Sequence, residues 1–368
     1  MDKIGAIGLG RLGLCFALTL ERAGYTVIGY DIDSDRLQSI ANKTIKTREP
    51  DVEKYLQGAS RLFMTSSLTH LLEDNDVIFV TVRTDSHVDG KFDHSQFEKL
   101  IEDIIERGYQ SRTKYLIVCS NVMPGYSDTV HKRLQHLNYR VSYSPELVAQ
   151  GKILADQKSP DMVIIGEEDK ESGDIIERIY RNVCRNTPKI HRMSRRSAEL
   201  FKVALNCYMT TKITFANIIG DAAVKFGAEP DKILSALGDD SRIGKKYFSH
   251  GFGYGGPCFP RDGAAFIQFA KDINIDPLII DAVIESNKLH LKYQIEEFCD
   301  KHPIDYKVIM PYVSFKPGSS IITESQQLLF AVELAKRGYK IIVQDHPEVI
   351  AQVKKLYGDL FLYEEKIS

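Results

Sequence analysis

One cysteine in the second half of the sequence stands in a setting that suits a nucleophile. The segment GFGYGGPCFPRD, residues 251–262, places Cys258 between two prolines and after glycines at 251, 253, 255 and 256. Glycine lets a backbone approach a ligand closely, and proline stiffens the entry to and exit from the thiol. A cysteine that only fills a core rarely needs this frame. We therefore predict that Cys258, with Arg261 and Asp262 close behind it, is an exposed nucleophile.

A second group of polar residues recurs at helical spacing in AELFKVALNCYMTTKITFAN. Glu199, Lys202 and Asn206 stand at i, i+3 and i+7, so they share one face of a helix. A lysine and an asparagine held inside a site can donate hydrogen bonds to a developing oxyanion. A solvated helix face explains the same spacing, and the catalytic interpretation gains weight only beside the cysteine motif.

The first predicted strand leads into a glycine fingerprint for a dinucleotide. Gly8, Gly10 and Gly13 form G-x-G-x-x-G between the strand KIGAIGL and a helix. The N-terminus of that helix supplies amide donors and positive potential for a pyrophosphate. Asp31 ends the next strand, where its carboxylate can bond both ribose hydroxyls and would repel a 2′-phosphate. The pattern predicts NAD as cofactor, with Arg36 either near the adenosine or a solvated helix charge.

Strand and helix patterns alternate at both ends of the chain and give way to helices in the middle. Strands are predicted at KIGAIGL, TVIGYD, DVIFVTV, KYLIVCS, YRVSYS and DMVIIG, and again at YKVIMPYVSF, YKIIVQD and GDLFLY. We predict an α/β fold: a Rossmann-type, doubly wound parallel sheet over 1–193, an all-helical domain with a long central helix over 194–302, and a small α/β domain over 303–368.

Charge and cysteine usage narrow the class of protein. The 48 basic and 50 acidic residues nearly cancel and form no long basic tract, so we expect no nucleic-acid partner. We recognise no secretory signal and no apolar stretch of the roughly 20 residues that a membrane span needs. The six cysteines show no C-x-x-C pairs, which favours reduced thiols over disulfides or a zinc site. The sequence predicts a cytoplasmic protein with small-molecule partners and no metal.

Several of these motifs in this order resemble the UDP-glucose/GDP-mannose dehydrogenase family. The most specific match is DDSRIGKKYFSHGFGYGGPCFPRD at 239–262, and others are the Glu-x-x-Lys-x-x-x-Asn helix at 199–206, SPELVAQG at 144–151 and FKPGSSIITES at 315–325. The resemblance implies an NAD-dependent nucleotide-sugar 6-dehydrogenase that oxidises a CH2OH group to a carboxylate, with UDP-glucose as the commonest substrate. It also implies a homodimer formed through the long central helix, here around 276–298.

The resemblance further implies roles for single residues. Lys202 and Asn206 would polarise the sugar C6 oxygen, and Cys258 would carry a thiohemiacetal and then a thioester. Lys202 and Asp262 would position the hydrolytic water, and Glu146 would act as its base. The implied NAD ligands are Gly8, Gly10, Leu12, Gly13, Asp31, Arg36, Thr84 and Asn121. The implied substrate ligands are Glu146, Leu147, Lys202, Asn206, Arg242, Phe252, Tyr254, Gly255, Phe315 and Lys316, with Arg242 reaching the neighbouring subunit's substrate unless it is simply an exposed cation.

Four motifs depart from the family pattern. Asn121 stands where the family has a threonine, Gln150 replaces a carboxylate, and Asp85 follows Thr84 in place of a proline. The Asp-Asp-Ile-Arg segment near the diphosphate reads Ser320-Ile321-Ile322-Thr323, which removes two acids and the arginine, replaced by Thr323. The predicted catalytic residues are retained, so we expect the chemistry to persist. The nucleotide base and the sugar of the substrate stay open.

Other interpretations fit part of the sequence. The substrate can be another nucleotide sugar, such as a UDP-N-acetylhexosamine or GDP-mannose. A single-hydride β-hydroxyacid or 6-phosphogluconate dehydrogenase also joins a Rossmann domain to a Lys-x-x-x-Asn helix, but it needs no cysteine. A degenerate protein that binds NAD and a nucleotide sugar without turnover would explain the altered positions, but it has no use for a nucleophile and its base.

Overall fold

Residues 2–365 are described by a computed structural model of the protein. Their contacts divide the chain into two units, Met1–Lys202 and Val203–Ser368. The finer division into three domains, with boundaries at 193 and 302, stays a prediction. No helix within residues 2–365 combines the length and the apolar character that crossing a membrane requires.

An eight-stranded sheet lies at the centre of the first unit. Its strands are β1 (Lys3–Ile7), β2 (Thr26–Tyr30), β3 (Leu62–Thr65), β4 (Val77–Val80), β5 (Lys114–Val118), β6 (Tyr139–Tyr143), β7 (Met162–Glu167) and β8 (Lys189–Ser194). The spatial order is β3-β2-β1-β4-β5-β6-β7-β8. The order reverses between β1 and β4, and this is the switch point at which doubly wound folds bind nucleotides.

Helices cover both faces of this sheet because its central strands are apolar on both sides. Phe79 packs into one hydrophobic core, and its neighbours Ile78 and Val80 pack into the other. Each such buried side chain stabilises the fold by roughly 1.5–3 kcal/mol. The helices are α1 (Arg11–Arg22), α2 (Ser34–Ala41), α3 (Val52–Gly58), α4 (Leu68–Asp74), α5 (Ser95–Arg107), α6 (Tyr126–Leu134), α7 (Ile153–Lys158) and α8 (Lys170–Val183), with a short 3₁₀ helix at Gln135–Leu137.

The observed sheet confirms the predicted α/β fold and all six predicted strands, with two differences. The sequence patterns miss β3 and β8, which are edge strands with few fully buried side chains. The sheet is also not wholly parallel. Strand β7 pairs antiparallel with β6, so β7 and β8 run opposite to the first six strands.

The later part of the chain is helical as far as residue 301 and then forms a small α/β layer, as predicted. It contains α9 (Arg195–Phe226), α10 (Pro230–Asp239), α11 (Phe259–Asp272), α12 (Leu278–Lys301), β9 (Lys307–Met310), α13 (Gln326–Lys336), β10 (Lys340–Asp345), α14 (Pro347–Tyr357), a 3₁₀ helix at Gly358–Leu360, and β11 (Leu362–Glu365). The three strands form a parallel sheet in the order β11-β10-β9. Strand β9 is shorter than predicted because Pro311 has no N–H to continue the ladder. The predicted central helix is α12, but α9, with 32 residues, is longer.

Candidate functional site

The first glycine loop leaves open space at the N-terminus of α1. A Cβ on Gly8, which has φ +84°, would lie 2.9 Å from the backbone of Thr81, and a Cβ on Gly13 would lie 1.9 Å from the carbonyl oxygen of Gly8. A Cβ on Gly10 would meet no described atom within 4 Å, and no side chain caps the helix there. Leu12 packs its side chain against the core. The first-turn amides therefore face a space that a pyrophosphate fits.

Asp31 lies directly beside this loop. Its Oδ2 accepts a hydrogen bond from the Leu9 amide at 2.6 Å, and its Oδ1 accepts one from the Asp33 amide at 3.0 Å. The carboxylate is held in place but remains partly exposed. Arg36 lies in α2, where its guanidinium is 3.7 Å from Asp33, the residue that caps this helix. The structure thus places Asp31 next to the open space and turns Arg36 toward the cap.

Thr84 and Asn121 meet at the carboxyl edge of the sheet. The Thr84 hydroxyl donates to the Asn121 carbonyl oxygen at 2.8 Å. Nearby, the Thr81 hydroxyl donates to the Gly8 carbonyl oxygen at 2.6 Å. These bonds tie the segments that follow β1, β4 and β5 to one another at the switch point. Sequence reasoning missed Thr81, although its place at the end of a buried strand is a usable signal.

Glu146 has a buried carboxylate with two hydrogen-bond donors. Gln157 Nε2 and the Tyr180 hydroxyl each donate to it at 3.1 Å. Burial raises the pKa of Glu146, although these two hydrogen bonds and the charge of Lys202 lower it. The Lys202 ammonium donates to the backbone carbonyl of Glu146 at 3.1 Å, so the structure brings two predicted catalytic residues together in the first unit. The neighbouring Leu147 packs against the core.

Glu199, on the same predicted helix face as Lys202, has a different role. Its buried carboxylate accepts the amides of Gly125 at 2.6 Å and Ser127 at 2.8 Å. These amides lie at the N-terminus of α6, so Glu199 satisfies donors that the helix itself leaves unpaired. It anchors the loop that follows Asn121.

Cys258 is exposed and stands at the N-cap of α11. The Asp262 amide donates to its carbonyl oxygen at 2.9 Å and closes the first helical turn. Positive potential at a helix N-terminus favours a thiolate. The other cysteines are buried or partly buried, and burial raises the pKa of both Cys15 and Cys207 to about 12. Cys258 is therefore the one exposed cysteine of the six, and its role as nucleophile stays a prediction.

Asn206 and Asp262 form a buried pair in the second unit. The Asn206 amide nitrogen donates to Asp262 Oδ2 at 2.5 Å, and Arg261 Nε lies 3.4 Å from Asp262 Oδ1. Asp262 is fully buried and Asn206 is 5% exposed. The carboxylate of Asp262 fixes the orientation of the Asn206 amide. In sequence, Asn206 follows Lys202 by four residues, and Asp262 follows Cys258 by four residues.

The second glycine loop is filled by its own chain. A Cβ on Gly255 would lie 1.9 Å from the carbonyl oxygen of Glu324, and a Cβ on Gly256 would lie 2.5 Å from the ring of Phe315. In the structure, another segment of the protein approaches these two glycines. That this loop also lets a ligand approach closely stays a prediction. Lys316 follows Phe315 and places its ammonium 5.6 Å from the centre of that ring.

Asn287 on α12 holds the middle of the same loop. Its side chain accepts from the Tyr254 amide and donates to the Tyr254 carbonyl, each at 3.0 Å. A Cβ on Gly253 would lie 2.4 Å from the Asn287 side chain. Phe252 packs edge-on against Phe330, with ring centres 5.6 Å apart, and so contributes to the carboxy-terminal core.

Arg242 lies apart from these contacts. It is exposed in the loop after α10, where its guanidinium pairs with Asp240 at 2.7 Å. The exposed position fits both sequence interpretations of this residue.

Comparison with known proteins identifies the family of this chain. Residues 2–184 match the NAD binding domain of the UDP-glucose/GDP-mannose dehydrogenase family, and residues 196–289 match its central domain. UDP-glucose 6-dehydrogenase of Pseudomonas aeruginosa is 28% identical over 358 residues, which are 93% of this chain and 78% of that protein. GDP-mannose 6-dehydrogenase of the same organism is 28% identical over 368 residues, 95% of this chain and 83% of that protein.

A solved structure extends the likeness to the whole chain. A UDP-glucose dehydrogenase from Pyrobaculum islandicum superimposes with a TM-score of 0.89 at 28% identity, covering 100% of this chain and 86% of that one. The chain therefore belongs to the UDP-glucose/GDP-mannose dehydrogenase family of NAD-dependent oxidoreductases.

Proposed function

We propose that this protein oxidises C6 of a nucleotide sugar from CH2OH to a carboxylate, with UDP-glucose as substrate and UDP-glucuronate as product. The observation that carries the proposal is the exposed Cys258 at the N-cap of α11, one turn before the buried Asp262 that orients Asn206. A single-hydride dehydrogenase has no step for such a thiol, and a protein that only binds its ligands has none either.

The residues around the first glycine loop fit NAD. The open space at Gly10 suits the pyrophosphate, and the Asp31 carboxylate suits the ribose hydroxyls. NAD supplies the hydride acceptor, and because each NAD molecule takes up one hydride, the two oxidations consume two NAD molecules per sugar.

Lys202 and Asn206 act in the first oxidation. Both lie on α9, one helical turn apart, and both side chains end in N–H donors. Hydrogen bonds from these groups to the C6 oxygen stabilise the negative charge that develops as the hydroxyl proton passes to solvent water. The product of this step is the C6 aldehyde.

Cys258 acts in the second oxidation. Its thiolate forms a bond to C6 as the carbonyl π bond of the aldehyde breaks, and the resulting alkoxide takes a proton to give a thiohemiacetal. Loss of the C6 hydride and of the hydroxyl proton then leaves a thioester on Cys258.

Hydrolysis of the thioester needs a base, and Glu146 has the suitable chemistry. Because burial raises its pKa, its ionised form is a stronger base than an exposed carboxylate. It takes a proton from water as the water oxygen attacks the thioester carbon. The C–S bond breaks, the carboxylate is released, and the Cys258 thiolate takes up a proton.

A panel of nucleotide sugars tests the substrate. Purified protein is incubated with NAD and, in separate reactions, with UDP-glucose, a UDP-N-acetylhexosamine or GDP-mannose. The products are identified by mass spectrometry. UDP-glucuronate formed faster than any other acid supports the proposal. A uronate from another sugar nucleotide keeps the chemistry and changes the substrate, whereas a product oxidised by only two electrons contradicts the chemistry.

We also propose that the protein forms a homodimer. Large apolar side chains are exposed on α12 and on the second half of α9, namely Leu278, Ile279, Leu289, Phe215 and Ile218. Exposed apolar surface of this kind favours protein–protein contact. Ile279→Glu is expected to convert a dimer into a monomer by light scattering, whereas Val88→Glu, at another highly exposed position, leaves the dimer intact. A wild-type monomer contradicts this proposal.

A further inference from the structure

A half-buried cluster of one aspartate and two histidines adjoins the segment that leads to Cys258. Asp221 on α9 lies between two histidines: its Oδ2 is 2.7 Å from His290 Nδ1, and its Oδ1 is 2.9 Å from His250 Nε2. A Cβ on Gly220 would lie 2.1 Å from the His250 ring, so the absence of a side chain there makes room for the histidine. No step proposed above uses these residues.

The second nitrogen of His290 determines its protonation. His290 Nε2 lies 2.6 Å from the carbonyl oxygen of Gly251, which can only accept a hydrogen bond. Burial alone would raise the pKa of Asp221, but the hydrogen bonds from His250 and His290 outweigh it and hold that pKa below its ordinary value. Asp221 is therefore an ionised acceptor. With an acceptor at each ring nitrogen, His290 must donate from both.

We propose that His290 is an imidazolium held by Asp221, and that it positions the segment 251–254 and through it Cys258. This inference rests on the proposed role of Cys258 as nucleophile. His290 and Asp221 are positioning residues, because the group they orient is the Gly251 peptide and not the substrate.

The Gly251 peptide is also bonded from both flanking helices. Asn217 on α9 accepts from the Gly251 amide at 3.0 Å, and Gln294 on α12 donates to the Gly251 carbonyl at 3.1 Å. His290 adds a charged donor to the same carbonyl, and charge-assisted hydrogen bonds are roughly twice as strong as neutral ones. With Asn287 holding Tyr254, both ends of the segment before Cys258 are fixed.

Two other groups face the cluster. The Tyr293 hydroxyl lies 3.4 Å from the Asp221 backbone carbonyl, and the Lys225 ammonium lies 5.8 Å from the centre of the Tyr293 ring. The ligand atoms of Asp221, His250 and His290 all lie within 4.8 Å of one another, so a divalent metal is the rival occupant. Each oxygen of the Asp221 carboxylate has its own histidine nitrogen at hydrogen-bond distance, and this arrangement favours shared protons over a metal ion.

Nitrogen NMR of the histidine-labelled full-length protein tests the protonation directly, with His290→Gln identifying the signal. At neutral pH, His290 is expected to show a proton on both ring nitrogens. A proton on one nitrogen overturns the inference. Stoichiometric metal in the purified protein, with His290 bound to it, also overturns the inference.

The positioning role is tested by hydrogen exchange and by kinetics. His290→Gln keeps a neutral donor, and we expect amide exchange in 251–254 to rise about tenfold and kcat to fall about tenfold with KM nearly unchanged. Gln294→Ala, which removes the neutral donor to the same carbonyl, should change exchange and kcat less than twofold. Equal effects of the two variants overturn the inference.

The substrate-free measurements separate this inference from the proposed function. If no sugar nucleotide is oxidised but His290 carries two ring protons and its variant loosens 251–254, the proposed function alone fails. If the sugar is oxidised and exchange is unchanged in His290→Gln, the positioning role alone fails.

Discussion

Two glycine-rich loops, one at 8–13 in the first unit and one at 251–256 in the second, can be compared by the space beside each glycine. At Gly10 a Cβ would project into open space, whereas at Gly255 it would overlap a backbone carbonyl of the same unit. Gly10 leaves room for a ligand, and Gly255 leaves room for another segment of the protein. A glycine motif therefore has a functional meaning only once its surroundings are known.

The largest expected effect tests the filled loop. Gly255→Ala places a methyl group against the Glu324 carbonyl, which cannot move without shifting backbone, and should lower the free energy of unfolding by about 3 kcal/mol. Gly251→Ala, where a Cβ meets no described atom within 4 Å, should stay within about 0.5 kcal/mol. Urea unfolding monitored by circular dichroism measures both. Equal losses would mean that packing does not explain the second loop.

At Gly10 of the first loop, a substitution should affect ligand binding more than stability. Gly10→Ala should leave the free energy of unfolding within about 1 kcal/mol of wild type and weaken NAD binding at least tenfold, about 1.4 kcal/mol, because the methyl group occupies the space at the helix N-terminus. Calorimetric titration with NAD checks this. Gly58→Ala, also at an open position but remote from the loop, is the control and should bind NAD normally. Unchanged affinity in Gly10→Ala would contradict the proposed pyrophosphate position.

A smaller effect is expected at Asp31. Asp31→Asn keeps an acceptor for the Leu9 amide but removes the charge, so the fold should persist while the preference for NAD over NADP narrows by about 1 kcal/mol. The ratio of the two dissociation constants measures it. Full preference in the variant would show that Asp31 supports the loop and does not select the cofactor.

The smallest effect concerns pH. Burial raises the pKa of Glu146, so turnover should fall as the pH drops through that raised pKa and the base becomes protonated. The hydrogen bond from Tyr180 lowers the pKa of Glu146. Tyr180→Phe should therefore move the acidic limb of the profile of kcat against pH to higher pH. The contribution of Glu146 to folding has the opposite sign: it is present below the ordinary glutamate pKa and lost as pH rises through the raised one.

A matched tyrosine controls for loss of a buried hydroxyl. Tyr139→Phe removes one from the same unit without contact to Glu146 and should leave the limb in place. A limb that moves equally in both variants, or in neither, would argue against Glu146 as the base.

The sequence predicts the parts of the fold whose signal is local. Buried strands such as β4 are apolar at every position, and the first glycine loop lies between a clear strand and helix. Edge strands β3 and β8 are half exposed and lack that signal, and the antiparallel direction of β7 depends on the path of a connection.

The site shows the same limit. Cys258 and the spacing of Lys202 and Asn206 are visible in the sequence because they lie in local motifs. The partners that fix two of these groups are distant: Glu146 lies 56 residues from Lys202, and Asp262 lies 56 residues from Asn206. Such pairs form only through tertiary packing, which no periodicity encodes.

The central claim is that Cys258 carries the second oxidation, and the NADH formed per sugar nucleotide consumed tests it most directly. Wild-type protein is predicted to form two NADH per sugar and a carboxylate. Cys258→Ser, assayed in parallel with its fold checked by circular dichroism, is predicted to lose carboxylate formation. One NADH per sugar in the wild type, or two in the folded Cys258→Ser variant, would contradict the account.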